Sequence, residues 1–299
     1  MMIDHSLSDT DAWVLALAKA DLPVLRYTAR TLQELRSTGD RVNSRVLANA
    51  ILHDPLLTLR VFAQQAERRR KSQLTDVTTI EQALMMMGLE PFFQTIEHLP
   101  LVEDSLGSQP RTLLGLLRVI ERSRRAAHWA RDWALYRHDL DAEEITIAAL
   151  LHDISEILMW CFAPKLALRV EEMKAGNPQL RSATAQLEVY GTTLLDLQQA
   201  LVHHWGLPQL LTTLMDESTS GNPRVRNVTL AVDLARHSAN GWQDAAIPDD
   251  LKGLQELLHL SAEQLPKRLG VDAALIAPLT APLNAPLSAP LLAHPPASN

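Results

Sequence analysis

Between Leu113 and Ala134 the chain repeats apolar and small residues at a strict spacing of three and four: Leu116, Val119, Ile120, Ser123, Ala126, Ala127, Ala130, Trp133 and Ala134. Only a helix brings positions three and four apart onto one face, because each residue advances it by about 100°. A stripe of this length predicts a helix of roughly 33 Å, covered along one side by other elements. The rest of the chain keeps the same period. Leu25, Ala29, Leu32 and Leu35 line one face, and Val46, Leu47, Ala50 and Ile51 line the next. Alternation of β-branched with polar residues is nearly absent, so the chain is expected to be all-α.

Capping residues place the helix ends. Asp54-Pro55 is an N-cap and first-turn pair for a helix carrying Leu56, Leu59, Phe62, Ala63 and Ala66. Thr79-Ile-Glu-Gln82 predicts a capping box opening a helix through Met87, which Gly88 stops. Asp141-Ala-Glu-Glu144 is expected to cap the helix that follows, and later helices are expected over about 180–203, 208–218, 224–238 and 249–258. The end differs. Ala277-Pro-Leu-Thr, Ala281-Pro-Leu-Asn, Ala285-Pro-Leu-Ser and Ala289-Pro-Leu-Leu are four copies of one tetrapeptide. Proline at every fourth residue opposes helix and favours extended chain, so 275–299 is expected to be a disordered tail. A neutral linker remnant is the favoured reading of the repeats; leucines docking on a groove are the alternative.

Within 299 residues, 46% hydrophobic side chains suffice for a sizeable core, and length permits one or two domains. A net charge of -7 gives no overall attraction for nucleic acid. A single cysteine, Cys161, excludes an intramolecular disulfide and suits a reducing compartment. The N-terminus lacks a basic start followed by an apolar core, and no apolar run reaches the roughly 20 residues of a membrane helix. A soluble cytoplasmic protein is expected, with no membrane partner.

His152-Asp153 stands inside the apolar segment Ala148–Leu158. An imidazole and a carboxylate are costly to bury unless they share a ligand or a hydrogen bond. Nitrogen from His and oxygen from Asp suit a divalent metal, but two ligands do not make a catalytic site.

Five segments in register resemble the HDOD domain. Leu22-Pro-Val-Leu25 is similar to its opening motif, and Leu52-His-Asp-Pro-Leu-Leu-Thr-Leu-Arg60 to its D-P-x-L-T-x-R segment. Val77–Gly88 is similar to its I-x-S-I-x-x-A-I-x-x-L-G segment, and Ala148–Ile154 to its G-L-L-H-D-I-G stretch. Tyr190-Gly191 with Leu201–Pro208 is similar to its Y-G … W-x-L-P segment. The resemblance covers about residues 20–240. It implies an HD-domain-like helical bundle with an N-terminal helical lobe, related to the HD phosphohydrolases, and a role in bacterial signal transduction. It divides the chain into an N-terminal extension (1–19), an N-terminal lobe (20–112), an HD-like lobe (113–240), a C-terminal helical extension (241–274) and the tail.

Metal-dependent HD hydrolases use an earlier His, the His-Asp pair and a later Asp. Carried over by position, the first His falls at Arg122 and the later Asp at Arg236. Asp233 is a candidate shifted substitute, although a surface or capping carboxylate is favoured. His128 lies off the apolar stripe and is expected to face water. Where the family often has histidines, this chain has Leu194 and Met215-Asp216-Glu217; after His-Asp-Ile it has Ser155 and Glu156. The expectation is a degenerate site with no metal; a mononuclear site on His152, Asp153 and a further carboxylate not identified from the sequence is the alternative. Arg122 and Arg236 are expected to supply positive charge in place of the cation.

Other features are expected to be structural. The basic residues Arg68–Lys71 and Arg118, Arg122, Arg124, Arg125, Arg131 and Arg137 are read as solvated helix faces rather than a phosphate site. His203-His204 point about 100° apart, which does not suit one metal, and Trp205 is read as core. His53 is read as a surface turn residue, and Met85-Met-Met87 and Cys161 as packing. No cofactor is expected. The function expected is a catalytically silent regulatory HDOD protein with an unknown signalling partner. The alternatives are a metal-dependent phosphohydrolase or phosphodiesterase acting on a nucleotide, and a nucleotide-binding receptor without turnover.

Overall fold

The computed structural model describes residues 2–37, 42–72, 76–177, 179–219 and 221–280, apart from the side chains of residues 68–72. The basic run Arg68–Lys71, as side chains, and the last three Ala-Pro-Leu repeats lie outside the described residues. Among the described residues there is no strand, only an isolated bridge between Val24 and Leu101. The helices are α1 (Thr10–Ala18), α2 (Arg26–Ser37), α3 (Ser44–Ile51), α4 (Pro55–Ser72), α5 (Ile80–Met87) and α6 (Leu89–Ile96). They continue as α7 (Val102–Leu106), α8 (Pro110–Tyr136), α9 (Ala142–Leu151), α10 (Ile154–Phe162), α11 (Pro164–Gly176) and α12 (Ser182–Tyr190). The last are α13 (Leu194–His204), α14 (Gln209–Leu214), α15 (Pro223–His237), α16 (Ile247–Leu258), α17 (Leu265–Leu269) and α18 (Ala273–Thr280).

The long stripe forms α8, with Pro110 in its first turn, and α9, α10, α11 and α15 all pack on it. Its apolar positions are buried as their period requires. Ahead of it, α3 packs on α2, α4 and α5. Asp54 is fully buried because it caps two helices at once. Its carboxylate accepts the Leu56 and Leu57 N–H groups at the start of α4 (3.0 and 3.2 Å) and the Leu25 N–H just before α2 (2.9 Å). Thr79 caps α5 through the Gln82 N–H, but Gln82 reaches Thr78 rather than Thr79, so only half of the expected box forms.

Several expectations are corrected. Residues before 20 are not structureless. They contain α1, which packs on α13, with Trp13 fully buried and its indole N–H donating to the Tyr190 carbonyl (2.8 Å). The helix expected over 180–203 breaks at Gly191 (φ +75°), which Leu7 and Ser6 approach so closely that a Cβ would sit 3.3 Å from them. Val46, Met85 and Met86 are exposed rather than packed. Asp141 makes no side-chain cap to α9. The first repeat, Ala277–Thr280, is helical in α18 despite Pro278, because Ile276 and Leu279 pack against the core. An apolar segment of membrane-spanning length does exist, Ala142–Phe162, but 89% of its most apolar window is buried and a turn divides it.

Gly115, midway along the first half of α8, lies under Trp160, whose ring atoms would fall inside contact distance of an added Cβ. Gly115→Ala gains about 1 kcal/mol of helix propensity but forces a buried indole aside at about 1–3 kcal/mol. The variant is expected to melt below the wild type in thermal unfolding.

Candidate functional site

His152 and Asp153 are not inside one helix, as expected, but form the turn between α9 and α10. Gln198, from the buried face of α13, holds that turn. Its amide donates to the Leu151 carbonyl and its carbonyl accepts the Ser155 N–H, both at 3.0 Å. Ser155, where the resemblance implies glycine, adds a bond from its hydroxyl to the Leu194 carbonyl (2.9 Å). The positions carried over along the sequence therefore meet in space: Arg122 on α8, the pair on its turn, Leu194 on α13, Glu217 in a short 3-10 turn (Glu217–Thr219) and Arg236 on α15.

Arg122 reaches Asp153 with two donors, Nε at 3.0 Å and Nη2 at 2.6 Å, both to Oδ2. The same Nη2 reaches Glu156 Oε2 at 2.7 Å. Arg236 Nη2 donates to the other oxygen, Oδ1, at 3.2 Å. The Asp153 side chain is only 10% exposed. Burial alone would push its carboxyl up, but Arg122 foremost, with His152 and Arg236, holds it well below the usual carboxylate range. Burial disfavours the Arg122 charge, and Glu156 and Asp153 more than offset that, raising its affinity for the proton. Asp233 is neither cap nor free surface. It sits 3.5 Å from Arg236 Nη1, and partial burial raises its pKa.

The His152 imidazole is 9% exposed, with both nitrogens buried and lacking hydrogen-bond partners. Asp153 Oδ1 and Glu217 Oε1 stand 3.6 Å from Nδ1 and Nε2, beyond bonding length. This donor set does not suit a divalent cation. Both oxygens of Asp153 face guanidinium, and among the described residues no three His, Cys, Asp or Glu side chains converge on one point. The pair lines a cleft of about 1650 Å³ between α8, α10 and the α11–α14 segment.

The remaining candidates fall elsewhere. His128, His203 and His204 are exposed, and Trp205 is half-buried against the core. His53 is exposed at its turn, with Nδ1 2.7 Å from the Asn49 carbonyl. Cys161 is buried, and desolvation pushes its thiol up, away from nucleophile chemistry. Gln198 was not foreseen as a contact, whereas Glu217 stands at a position carried over by resemblance. A glutamine on the buried side of the Leu194, Leu197, Leu201 stripe was the one available signal for the first.

The HDOD domain profile matches residues 22–220. The fold is similar to the MmoQ response regulator of Methylococcus capsulatus, with a TM-score of 0.63 and 18% identity, covering 84% of this chain and 98% of that one. It is also similar to a virulence factor of Campylobacter jejuni, with a TM-score of 0.62 and 18% identity, covering 91% of this chain and 96% of that one. At that identity the likeness is one of fold. No curated protein is significantly similar in sequence.

Asp153→Ala takes one of two carboxylates from Arg122 in a mostly buried site; Glu156 remains, so the cost is expected to stay below the about 3–5 kcal/mol of an uncompensated buried charge. Because the folded carboxyl is held below the unfolded value of about 3.9, the stabilisation is complete above that pH and lost as pH falls through the folded pKa. Chemical denaturation is expected to show the full deficit of the variant at pH 7 and a shrinking one below about pH 4.

Proposed function

This chain belongs to the HDOD family, and from that membership we propose that it is a regulatory protein without hydrolase activity. The observation that carries the proposal is the Arg122 guanidinium on Asp153, at 2.6 Å, in the position where a metal-dependent relative places a ligand histidine. A fixed positive charge there neutralises the carboxylate as a cation would, yet offers no open coordination position to activate water. Arg236 occupies the second oxygen from the position of the later aspartate. We read both as replacing the metal, which makes the His-Asp turn a structural element.

Regulation then runs through binding. The proposed surfaces are the helices of 20–112, where Met85 and Met86 are exposed on α5, and the cleft beside His152. Exposed methionines adapt to varied apolar partners. We place the protein in bacterial signal transduction in the cytoplasm. A nucleotide receptor is a weaker reading, because the Arg122 donors nearest the cleft floor are already taken by Asp153 and Glu156 rather than free for phosphate.

Elemental analysis of protein purified without chelator tests this, run in parallel on His152→Ala. Neither protein is expected to carry stoichiometric metal. Near-stoichiometric Mn, Fe, Zn or Ni in the wild type, lost in the variant, would overturn the proposal and call for a phosphodiester substrate screen.

A further inference from the structure

Seven of the described residues have positive φ, and five of them are glycines. The other two are His138 (+58°) and His259 (+53°), and both line one cavity of about 650 Å³. In this conformation an L side chain crowds its own carbonyl, so glycine is the usual residue where a chain turns off the end of a helix. His138 follows the end of α8 and His259 the end of α16. Histidine in glycine's place at two helix ends that meet at one cavity points to a use for the imidazoles there.

The polar lining consists mainly of donors. Arg137 gives Nη1 to the Pro223 carbonyl (2.9 Å), and among the described residues no carboxylate pairs with it; Asp139, two residues on, is taken by Arg224 at 3.1 Å. Glu256 is the one carboxylate of the lining, and Arg226 already neutralises it at 2.5 Å. Both imidazoles are exposed, and among the described residues neither is hydrogen-bonded. Helix ends act in both directions. α8 and α16 bring the negative ends of their dipoles, and α15 starts at Pro223 with the positive end of its own. At about half a charge for each end, the Arg137 guanidinium leaves the lining positive by about half a charge before either imidazole takes a proton.

A donor-rich lining with one uncompensated guanidinium suits an anion that only accepts hydrogen bonds. The guanidinium fork matches two oxygens of a phosphate, and the remaining oxygens are free for the imidazoles, which a carboxylate could not engage as fully. The cavity volume lies in the small-molecule range of roughly 300–1,000 Å³, so a substituent on the phosphate has room beside the half-exposed Tyr136 ring.

We infer that this cavity, between the ends of α8 and α16 and the start of α15, binds phosphate or a small phosphate monoester. Arg137 is the anchoring charge, and His138 and His259 are additional donors. The cavity shares no lining residue with the cleft beside His152, so the site stands apart from the regulatory reading of that cleft.

Titration calorimetry of the full chain with inorganic phosphate, at fixed ionic strength in chloride, tests it. One site per chain is expected, with a Kd on the order of 1 mM. Arg137→Ala is expected to weaken binding about ten-fold or more, and His138→Gly and His259→Gly about three-fold or more each. Glycine relieves the positive φ, so both glycine variants are expected to melt at or above the wild type, which separates lost binding from lost fold. Lys174→Ala, in the cleft beside His152, is the control and is expected to bind as the wild type does. Phenyl phosphate distinguishes the two sources: tighter binding than phosphate assigns an ester, and equal binding assigns the free ion. The absence of saturable binding at about ten times the expected Kd would overturn the inference. So would an unchanged Kd in Arg137→Ala, an unchanged Kd in both glycine variants, or a loss confined to Lys174→Ala, which would move the site to the other cleft.

Discussion

A carboxylate removed from water must meet positive charge or give up its own, and Asp153 is buried at the junction of two helices. Arg122 comes from α8 and Arg236 from α15, so neutralising one side chain sets how both helices approach the α9–α10 turn. Gln198 adds α13 by bonding on both sides of that turn. Four parts of the chain far apart in sequence are thus registered against one charge. Such polar registration adds specificity to an apolar core whose contacts would tolerate small shifts.

The same arrangement bears on chemistry. A metal-activated water needs ligands that leave a coordination position open. Here guanidinium groups hydrogen-bond both oxygens of the Asp153 carboxylate. Beside it, both ring nitrogens of His152 are buried without hydrogen-bond partners, and leucines stand exposed on the walls of the adjoining cleft. These are the contacts from which the proposed regulatory role is argued.

Features governed by neighbours in sequence were legible. The α8 stripe, the cap of α4 by Asp54 and the stop at Gly88 follow from local geometry, and the residues expected there occupy those places. The positions carried over to Arg122, Arg236, Leu194 and Glu217 also converge on the pair, although only spacing linked them beforehand. Features decided at a distance were not legible. Nothing local distinguishes Trp13 as a buried anchor for Tyr190, or Met85 and Met86 from the buried Met87 on the same short helix. His152-Asp153 looked like the interior of a helix because its flanks are apolar on both sides. The turn exists because Gln198, more than forty residues on, takes up the backbone groups that it frees.

By itself the sequence determined the helical class, several helix ends, the family and the residues that stand at the positions carried over by resemblance. These depend on periodicity, caps and order along the chain, which are local or one-dimensional properties. Only the tertiary structure decided that Arg122 and Arg236 face the same carboxylate from opposite sides and that the N-terminal helix belongs to the core. It also decided that α17 lies against the Trp129–Tyr136 end of α8. Each of these depends on a side chain finding its partner across elements, and the free energy of that pairing comes from shared burial, which no single stretch of sequence contains.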